Sequence, residues 1–217
     1  MIHRYPTVDS TMRLAADLPV GDIVVADEQT AGLGRHGHSW YSAPGAGLYC
    51  SIVLEPRPLL TLALGLATAE VIQTPCDLRW PNDILIGDRK VAGILVQLVE
   101  GKAIAGIGIN LNHETFPPEL EATSLKLATG RETHPDDLID PLLAAVETYT
   151  KLPSDDILRL FTRASSYAAG RRVTVDLPDG RIHGTTRGLD PDGYLIVRKD
   201  DGTDTLILAG GVRAARA

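Results

Sequence analysis

Apolar runs alternate with polar or glycine-rich segments through the first half of the chain. Asp9, Ser10 and Thr11 form a helix-start signal ahead of residues with helical apolar spacing, and Pro19 and Gly21 end the predicted helix. A glycine-rich loop is predicted between Glu28 and Gly47. The remaining runs predict, in chain order, strands at 23–26 and 48–54, a buried helix at 59–73, and strands near 78–80, 90–99 and 103–109.

The second half changes character at Gly170. Before it, helices are predicted at about 141–152 and 154–168, the second with a capped, acidic first turn at Ser154. After it, Asp-Gly pairs at 179–180, 192–193 and 201–202 separate short strand-like runs at 172–177, 181–187, 194–199 and 205–208. Asp-Gly between alternating strands is a strong hairpin signal. The pattern therefore predicts an α+β domain over residues 1–169 and a small β-barrel over residues 170–217.

Composition narrows the class of protein. The 217 residues carry a formal net charge of -7, and no basic run exceeds two residues, so the surface disfavours DNA and anionic membranes. The most apolar window, 59–72, is too short to span a bilayer. The first residues lack a signal pattern, and Cys50 and Cys76 follow no metal or redox spacing. We expect a cytoplasmic protein with reduced thiols.

Residues 32–37 match the dinucleotide-binding pattern G-x-G-x-x-G. That function requires a helix to open at the motif, and Pro44, Gly45 and Gly47 follow too soon to allow one. What remains is a loop in which Arg35 is the only Lys or Arg between residues 30 and 55. Its planar fork suits a phosphate or a carboxylate. A mobile surface loop, or metal binding by His36 and His38, stay open as alternatives.

Three further segments carry candidate chemistry. Residues 80–83 (Trp-Pro-Asn-Asp) place an amide and a carboxylate beside a rigid turn, and Lys90 stands at the mouth of a buried strand. Residues 106–112 end another strand with two amides. Each segment is weak evidence by itself, because a lysine before an apolar strand is usually a solvated strand end.

Together these segments resemble, in order and spacing, the catalytic domain of biotin protein ligases. The resemblance covers about residues 5–112 and rests on segments 9–11, 28–32, 80–83, 89–93 and 106–110. It implies a mixed β-sheet packed with helices, as in class II synthetase-like biotin ligases, followed by an SH3-like barrel. It implies ATP and Mg²⁺ as co-substrates, biotin as substrate, and no tightly bound prosthetic group.

The resemblance also implies a role for each matching residue. Arg35 and Lys90 are the implied catalytic residues, and Asp83 is implied to help place the Mg²⁺ carried by ATP. The implied biotin-binding residues are Ser10, Thr11, Met12, Gln29, Leu33, Gly34, Arg35, Lys90 and Gly93. The implied adenylate-binding residues are Gly32, Arg35, Trp40, Asn82, Lys90 and Asn110, with Trp40 stacking.

The implied reaction activates the biotin carboxylate as an adenylate and passes it to a lysine of a biotin carboxyl carrier domain of a carboxylase. Several residues depart from the family pattern. Leu33, His36 and His38 stand where arginine is usual or frequent, Met12 stands where asparagine is usual, and glycine stands at 210–211 where glutamate is common. A loop poor in arginine should bind phosphate less strongly.

Two other functions stay open. A lipoate-type acyl ligase or transferase shares the fold and the adenylate chemistry, and a non-catalytic biotin sensor would bind the same ligand. Ser10 lies so close to the first residue that we expect a stand-alone ligase without an N-terminal DNA-binding domain. The family also allows a homodimer, and the sequence does not fix the oligomeric state or the biotin acceptor.

Overall fold

The computed structural model of the protein describes residues 1–177 and 180–215. Its strands and helices, in chain order, are β1 (Ile2–Val8), α1 (Thr11–Ala16), β2 (Ile23–Gln29), β3 (Gly47–Leu54), α2 (Leu60–Ile72), β4 (Asp77–Arg79), β5 (Asp83–Ile86), β6 (Arg89–Val99), β7 (Lys102–Asn110), α3 (Leu125–Thr129), α4 (Pro135–Thr150), α5 (Ser154–Ala164), β8 (Ala169–Leu177), β9 (Gly180–Leu189), β10 (Leu195–Lys199), β11 (Asp204–Ile207) and β12 (Gly211–Ala214). A short 3-10 turn, Arg35–Gly37, interrupts the glycine-rich loop.

The larger sheet has seven strands in the order β1-β2-β3-β7-β6-β5-β4. β1 runs parallel to β2 and the other pairs are antiparallel, so the predicted mixed sheet is confirmed. Helix α2 is buried on nearly all sides between the sheet and helices α4 and α5. Helix α1 packs on the opposite face, where Met12 meets Val24, Val53 and Ile104. The sheet thus separates a large core from a small one beneath α1.

The C-terminal strands form a five-stranded antiparallel sheet in the order β11-β10-β9-β8-β12. The predicted hairpins at 192–193 and 201–202 are present, and both glycines have positive φ, 81° at Gly193 and 83° at Gly202. Asp179 of the third predicted hairpin lies outside the described residues. Within the described part of the chain, no helix has the length and apolar character needed to cross a membrane.

Two helix boundaries differ from the prediction by four residues or more. Helix α4 begins at Pro135 rather than near residue 141, because Pro135 suits the first helical turn and His134 accepts a hydrogen bond from the Asp136 amide. Pro141 lies inside the helix. Helix α5 ends at Ala164 rather than at 168, where the chain turns into β8. Strands β1, β5 and β12 and helix α3 were not predicted; β1 is an edge strand with no buried residue and so lacks apolar alternation.

Candidate active site

Three glycines on neighbouring strands form the floor of the site. Gly93 of β6 pairs with Gly108 of β7, and Gly106 lies two residues earlier on the same face of β7. A Cβ added at Gly108 would lie 2.5 Å from the Trp40 ring, and one at Gly106 would lie 2.7 Å from the Met12 sulfur. The absence of side chains at these positions therefore lets Trp40 and Met12 lie directly on the sheet.

Thr11 and Gln29 line one end of the cavity and, with Ser42 and Ser51 behind them, form a group that we call the hydroxyl cluster. The Thr11 amide and hydroxyl both donate to Gln29 Oε1, at 2.9 and 3.0 Å. The Thr11 and Ser51 hydroxyls are 2.8 Å apart, and Gln29 Nε2 donates to the Ser42 hydroxyl at 3.2 Å. Thr11 and Ser51 are fully buried, so an uncharged polar network is fixed deep between α1, β2 and β3.

Apolar and sulfur-bearing side chains continue the wall beside this cluster. Met12, Leu33, Cys50 and Leu95 line the same cavity. Burial raises the pKa of the Cys50 thiol to about 12, so the thiol stays protonated and acts as a small apolar group.

The opposite end carries the charged rim: Arg35, Arg79, Asn82, Asp83 and Lys90. Lys90 Nζ lies 2.5 Å from one Asp83 oxygen and an Arg79 nitrogen lies 2.7 Å from the other. Burial raises the pKa of Asp83, but the charges of Lys90 and Arg79 outweigh it and hold that pKa below its usual value. Asp83 is therefore an anion, and it fixes the position of Lys90.

Arg35 joins the rim from the glycine-rich loop. Its guanidinium donates to Asn82 Oδ1 at 2.8 Å, and Asn82 Nδ2 in turn donates to the Ile94 carbonyl at 2.9 Å. Burial lowers the pKa of Arg35 despite the opposing charge of Asp83, and no carboxylate among the described residues forms an ion pair with it. Such a guanidinium favours an anionic ligand.

Trp40 lies between the two ends. Lys90 Nζ is 5.2 Å from the centre of its ring, and its indole N–H is buried without a hydrogen-bond partner among the described residues. With the ring in this position the cavity measures about 40 Å³, well below the roughly 300 Å³ of ordinary small-molecule sites. A ligand of that size enters only if Trp40 and its loop move.

A second cavity of about 300 Å³ adjoins the first on the other side of Trp40. Asn110 lines it, donating through Nδ2 to the Thr123 carbonyl at 3.0 Å. Its buried Oδ1 has no partner within the described residues and remains an acceptor for a ligand. Arg213 of the C-terminal sheet and Phe116 complete the wall.

The structure brings most of the predicted site residues to one place. Those lining the first cavity are Thr11, Met12, Gln29, Leu33, Gly34, Arg35, Trp40, Asn82, Lys90 and Gly93. The Gly32 carbonyl accepts a hydrogen bond from the Trp40 amide, and Asn110 faces the second cavity. Ser10 is buried beside the cluster but does not line the cavity, and its hydroxyl has no partner among the described residues.

Two predicted metal roles find little support in the geometry. Both Asp83 oxygens already contact cations, and His36 and His38 are exposed. Within residues 1–177 and 180–215, no three His, Cys, Asp or Glu side chains are grouped to hold an ion. The histidines therefore belong to the exposed part of the loop.

Sequence reasoning missed Ser51, Cys50, Gly106 and Gly108 as site residues. A signal existed for three of them. Ser51 interrupts an apolar run, and Gly106 and Gly108 alternate along a strand, which marks a close approach to one face. Cys50 has no such signal.

Comparison with known proteins places this geometry among described families. Residues 5–114 match the Biotin/lipoate A/B protein ligase family, and residues 169–212 match the Biotin protein ligase C terminal domain. The bifunctional ligase/repressor BirA of Bacillus subtilis is 32% identical over 91% of this chain and 69% of its own length. The biotin–acetyl-CoA-carboxylase ligase of Mycobacterium tuberculosis is 31% identical over 88% of this chain and 77% of its own. A solved structure of biotin protein ligase from Aquifex aeolicus, in complex with biotin and ATP, has a TM-score of 0.87 at 30% identity, covering 99% of each chain.

Proposed function

The chain belongs to the biotin protein ligase family, and on that premise we propose that it makes biotinyl-5'-AMP from biotin and ATP and transfers the biotinyl group to a lysine of a carrier protein. One observation carries the proposal: a buried hydroxyl cluster and a cationic rim lie at opposite ends of one cavity, beside a second cavity of nucleotide size. That order matches a ligand with a polar ring at one end and a carboxylate at the other.

The hydroxyl cluster is the seat of the biotin ring. A ureido group needs both donors and acceptors, and Thr11 and Gln29 supply them, with Ser10 buried next to them. Met12 and Leu33 pack against the apolar part of the ligand. Gly34 and Gly93 allow the backbone to approach it closely.

Arg35 and Lys90 are the catalytic residues. The biotin carboxylate oxygen attacks the α-phosphorus of ATP, the bond to the β-phosphate oxygen breaks, and pyrophosphate leaves. This step brings two anions together, and the two cations stabilise the charge that develops between them. The carrier lysine then attacks the anhydride carbonyl, AMP departs, and the amine loses a proton as the amide forms.

The adenylate occupies the space between Trp40 and the second cavity. The Trp40 ring offers a stacking surface, and Asn110 Oδ1 is a free acceptor within the described structure. Gly32 and Asn82 border the path between the two cavities. The loop encloses the nucleotide once Trp40 has moved.

Mg²⁺ enters with the phosphates of ATP, as a co-substrate. The Asp83 carboxylate does not fit a role as its protein ligand, because both oxygens are held by Lys90 and Arg79. We assign Asp83 to positioning Lys90 instead.

Mass spectrometry of a purified carrier domain tests the proposal, after incubation with the enzyme, MgATP and either biotin or lipoate. We expect one biotinyl group on one lysine. Transfer of lipoate alone would establish the lipoate-type alternative, and binding of labelled biotin without pyrophosphate release would establish the sensor alternative.

The carrier we propose is the biotin carboxyl carrier domain of a biotin-dependent carboxylase, with no DNA or membrane partner. We place the enzyme in the cytoplasm, which agrees with the free thiols of Cys50 and Cys76. The homodimer remains a prediction, for which sedimentation of the purified protein is the test.

A further inference from the structure

The C-terminal sheet touches the segment that holds the charged rim. The turn Asp190–Tyr194 between β9 and β10 presents the Gly193 carbonyl to the buried Trp80 indole N–H, which donates to it at 2.8 Å. The turn fits closely: a Cβ added at Gly193 would lie 2.5 Å from a Leu59 methyl carbon. Trp80 thus has its polar atom satisfied by the other domain.

Trp80 is followed at once by the residues that hold the rim. Asn82, two residues on, accepts from Arg35 and donates to the Ile94 carbonyl. Asp83, three residues on, holds Lys90 and Arg79. A shift of Trp80 would therefore move the partners of both catalytic residues.

We propose that the 190–194 turn is a positioning element for catalysis, with Trp80 as the residue through which it acts. Docking of the turn fixes Trp80, Trp80 fixes the place of Asn82 and Asp83, and these hold Arg35 and Lys90. The hydroxyl cluster, on α1, β2, β3 and the loop before β3, makes no hydrogen bond to this chain of residues in the described structure. The inference rests on the proposed function.

Trp80→Phe removes the N–H and keeps the aromatic packing. Since a single hydrogen bond is at stake, we expect kcat for biotin-dependent pyrophosphate release to fall about 3- to 10-fold while the biotin KM stays within about twofold. Asp190→Ala tests the link from the other side, because the Asp190 carboxylate accepts the amides of Asp192 and Tyr194 and shapes the turn. This variant carries the test if Trp80→Phe does not fold.

A double-mutant cycle with Asn82→Ala identifies the route. Because Trp80 acts through Asn82 and also through Asp83, we expect the double variant to lose more kcat than Asn82→Ala alone but less than the product of the two single losses. Ser165→Ala is the matched control, because it removes another buried bond close to Trp80 that does not involve the C-terminal sheet, from Ser165 Oγ to the Leu78 carbonyl, and should leave kcat within about twofold.

An unchanged kcat in both Trp80→Phe and Asp190→Ala would overturn the inference, as would full multiplicative losses in the cycle or an equal loss in Ser165→Ala. The proposed function fails separately, if the wild-type protein releases no pyrophosphate with biotin and MgATP.

Discussion

The two ends of the cavity are built differently. The hydroxyl cluster is neutral, has Thr11 and Ser51 buried at its centre, and is supported mainly by interior strands and α1. The charged rim comes from strands β4, β5 and β6, the turn that holds Asn82 and the glycine-rich loop, and the Lys90 side chain is 28% exposed. A neutral, rigid network binds a ligand equally in the ground state and the transition state, whereas charges act on a charge that develops. The hydroxyl cluster should therefore govern KM and the charged rim should govern kcat.

The charge balance of the rim supports this division. Three cations, Arg35, Arg79 and Lys90, face one carboxylate, Asp83. Two positive charges are left over, which matches a carboxylate meeting a phosphate. The rim is thus pre-organised for two anions, while the hydroxyl cluster has no net charge to offer.

Lys90→Ala should produce the largest effect. It removes the cation nearest Trp40 and leaves Asp83 with Arg79 alone. Loss of one such charge is worth about 2–4 kcal/mol, so pyrophosphate release should slow about 30- to 1000-fold, with the biotin KM little changed. Lys151→Ala, which breaks an exposed ion pair with Glu147, is the matched control.

A folded Lys90→Ala protein with near-normal pyrophosphate release would show that the rim does not act on the transition state. A rise in the biotin KM at constant kcat would move Lys90 to the binding side of the comparison.

Asp83→Asn should have the next largest effect. The substitution keeps the side-chain shape but removes the negative charge that holds Lys90 and Arg79. Because a hydrogen bond between charged groups contributes more than a neutral one, we expect kcat to fall about tenfold. Steady-state kinetics at several Mg²⁺ concentrations give the measurement. If high Mg²⁺ concentrations restored kcat of the variant, Asp83 would act on the metal, as predicted from the sequence, and not by positioning Lys90.

The same substitution makes a prediction for stability against pH. The folded-state pKa of Asp83 is below its ordinary value of 3.8, so its contribution is present above that pH and is lost as the pH falls through the lower folded value. The unfolding free energy of Asp83→Asn should therefore fall less than that of the wild type as the pH is lowered from 5. Urea denaturation at a series of acidic pH values measures this difference. Parallel curves for both proteins would exclude the ion-pair assignment.

The sequence predicted the residues of the site better than their contacts. Motif residues such as Arg35, Asn82 and Lys90 are visible because they stand in short segments of fixed order. Their pairing is not visible, since the Arg35 to Asn82 bond joins positions 47 residues apart that only the folded chain brings together. The fold follows the same rule: buried elements carry a clear apolar period, whereas the edge strand β1 does not.

Thr11→Val tests the hydroxyl cluster with a smaller expected effect. It keeps the side-chain shape and removes the hydroxyl between Gln29 and Ser51. A hydrogen bond contributes about 0.5–1.5 kcal/mol, so the biotin KM should rise about 2- to 10-fold with kcat unchanged. Thr148→Val, on an exposed turn of α4, controls for the loss of a hydroxyl. A fall in kcat without a rise in KM would remove the contrast between the two ends.

Met12→Leu should have the smallest effect, because Met12 contributes packing and no hydrogen bond. Met12 is 4% exposed, and its sulfur lies 2.7 Å from the position that a Cβ of Gly106 would take. Exchanging methionine for leucine conserves volume, so biotin KM should change less than about twofold and stability should fall by less than about 1.5 kcal/mol. Met12→Asn would bury an amide among the apolar side chains of Val24, Val53 and Ile104, so this variant should lose stability although asparagine is usual in the family. Thermal unfolding and biotin titration of the two variants separate these outcomes. If Met12→Leu raised the biotin KM as much as Thr11→Val does, the Met12 thioether would contact the ligand. Biotin binding at the neutral end of the cavity would then depend on this sulfur as well as on the hydroxyl groups.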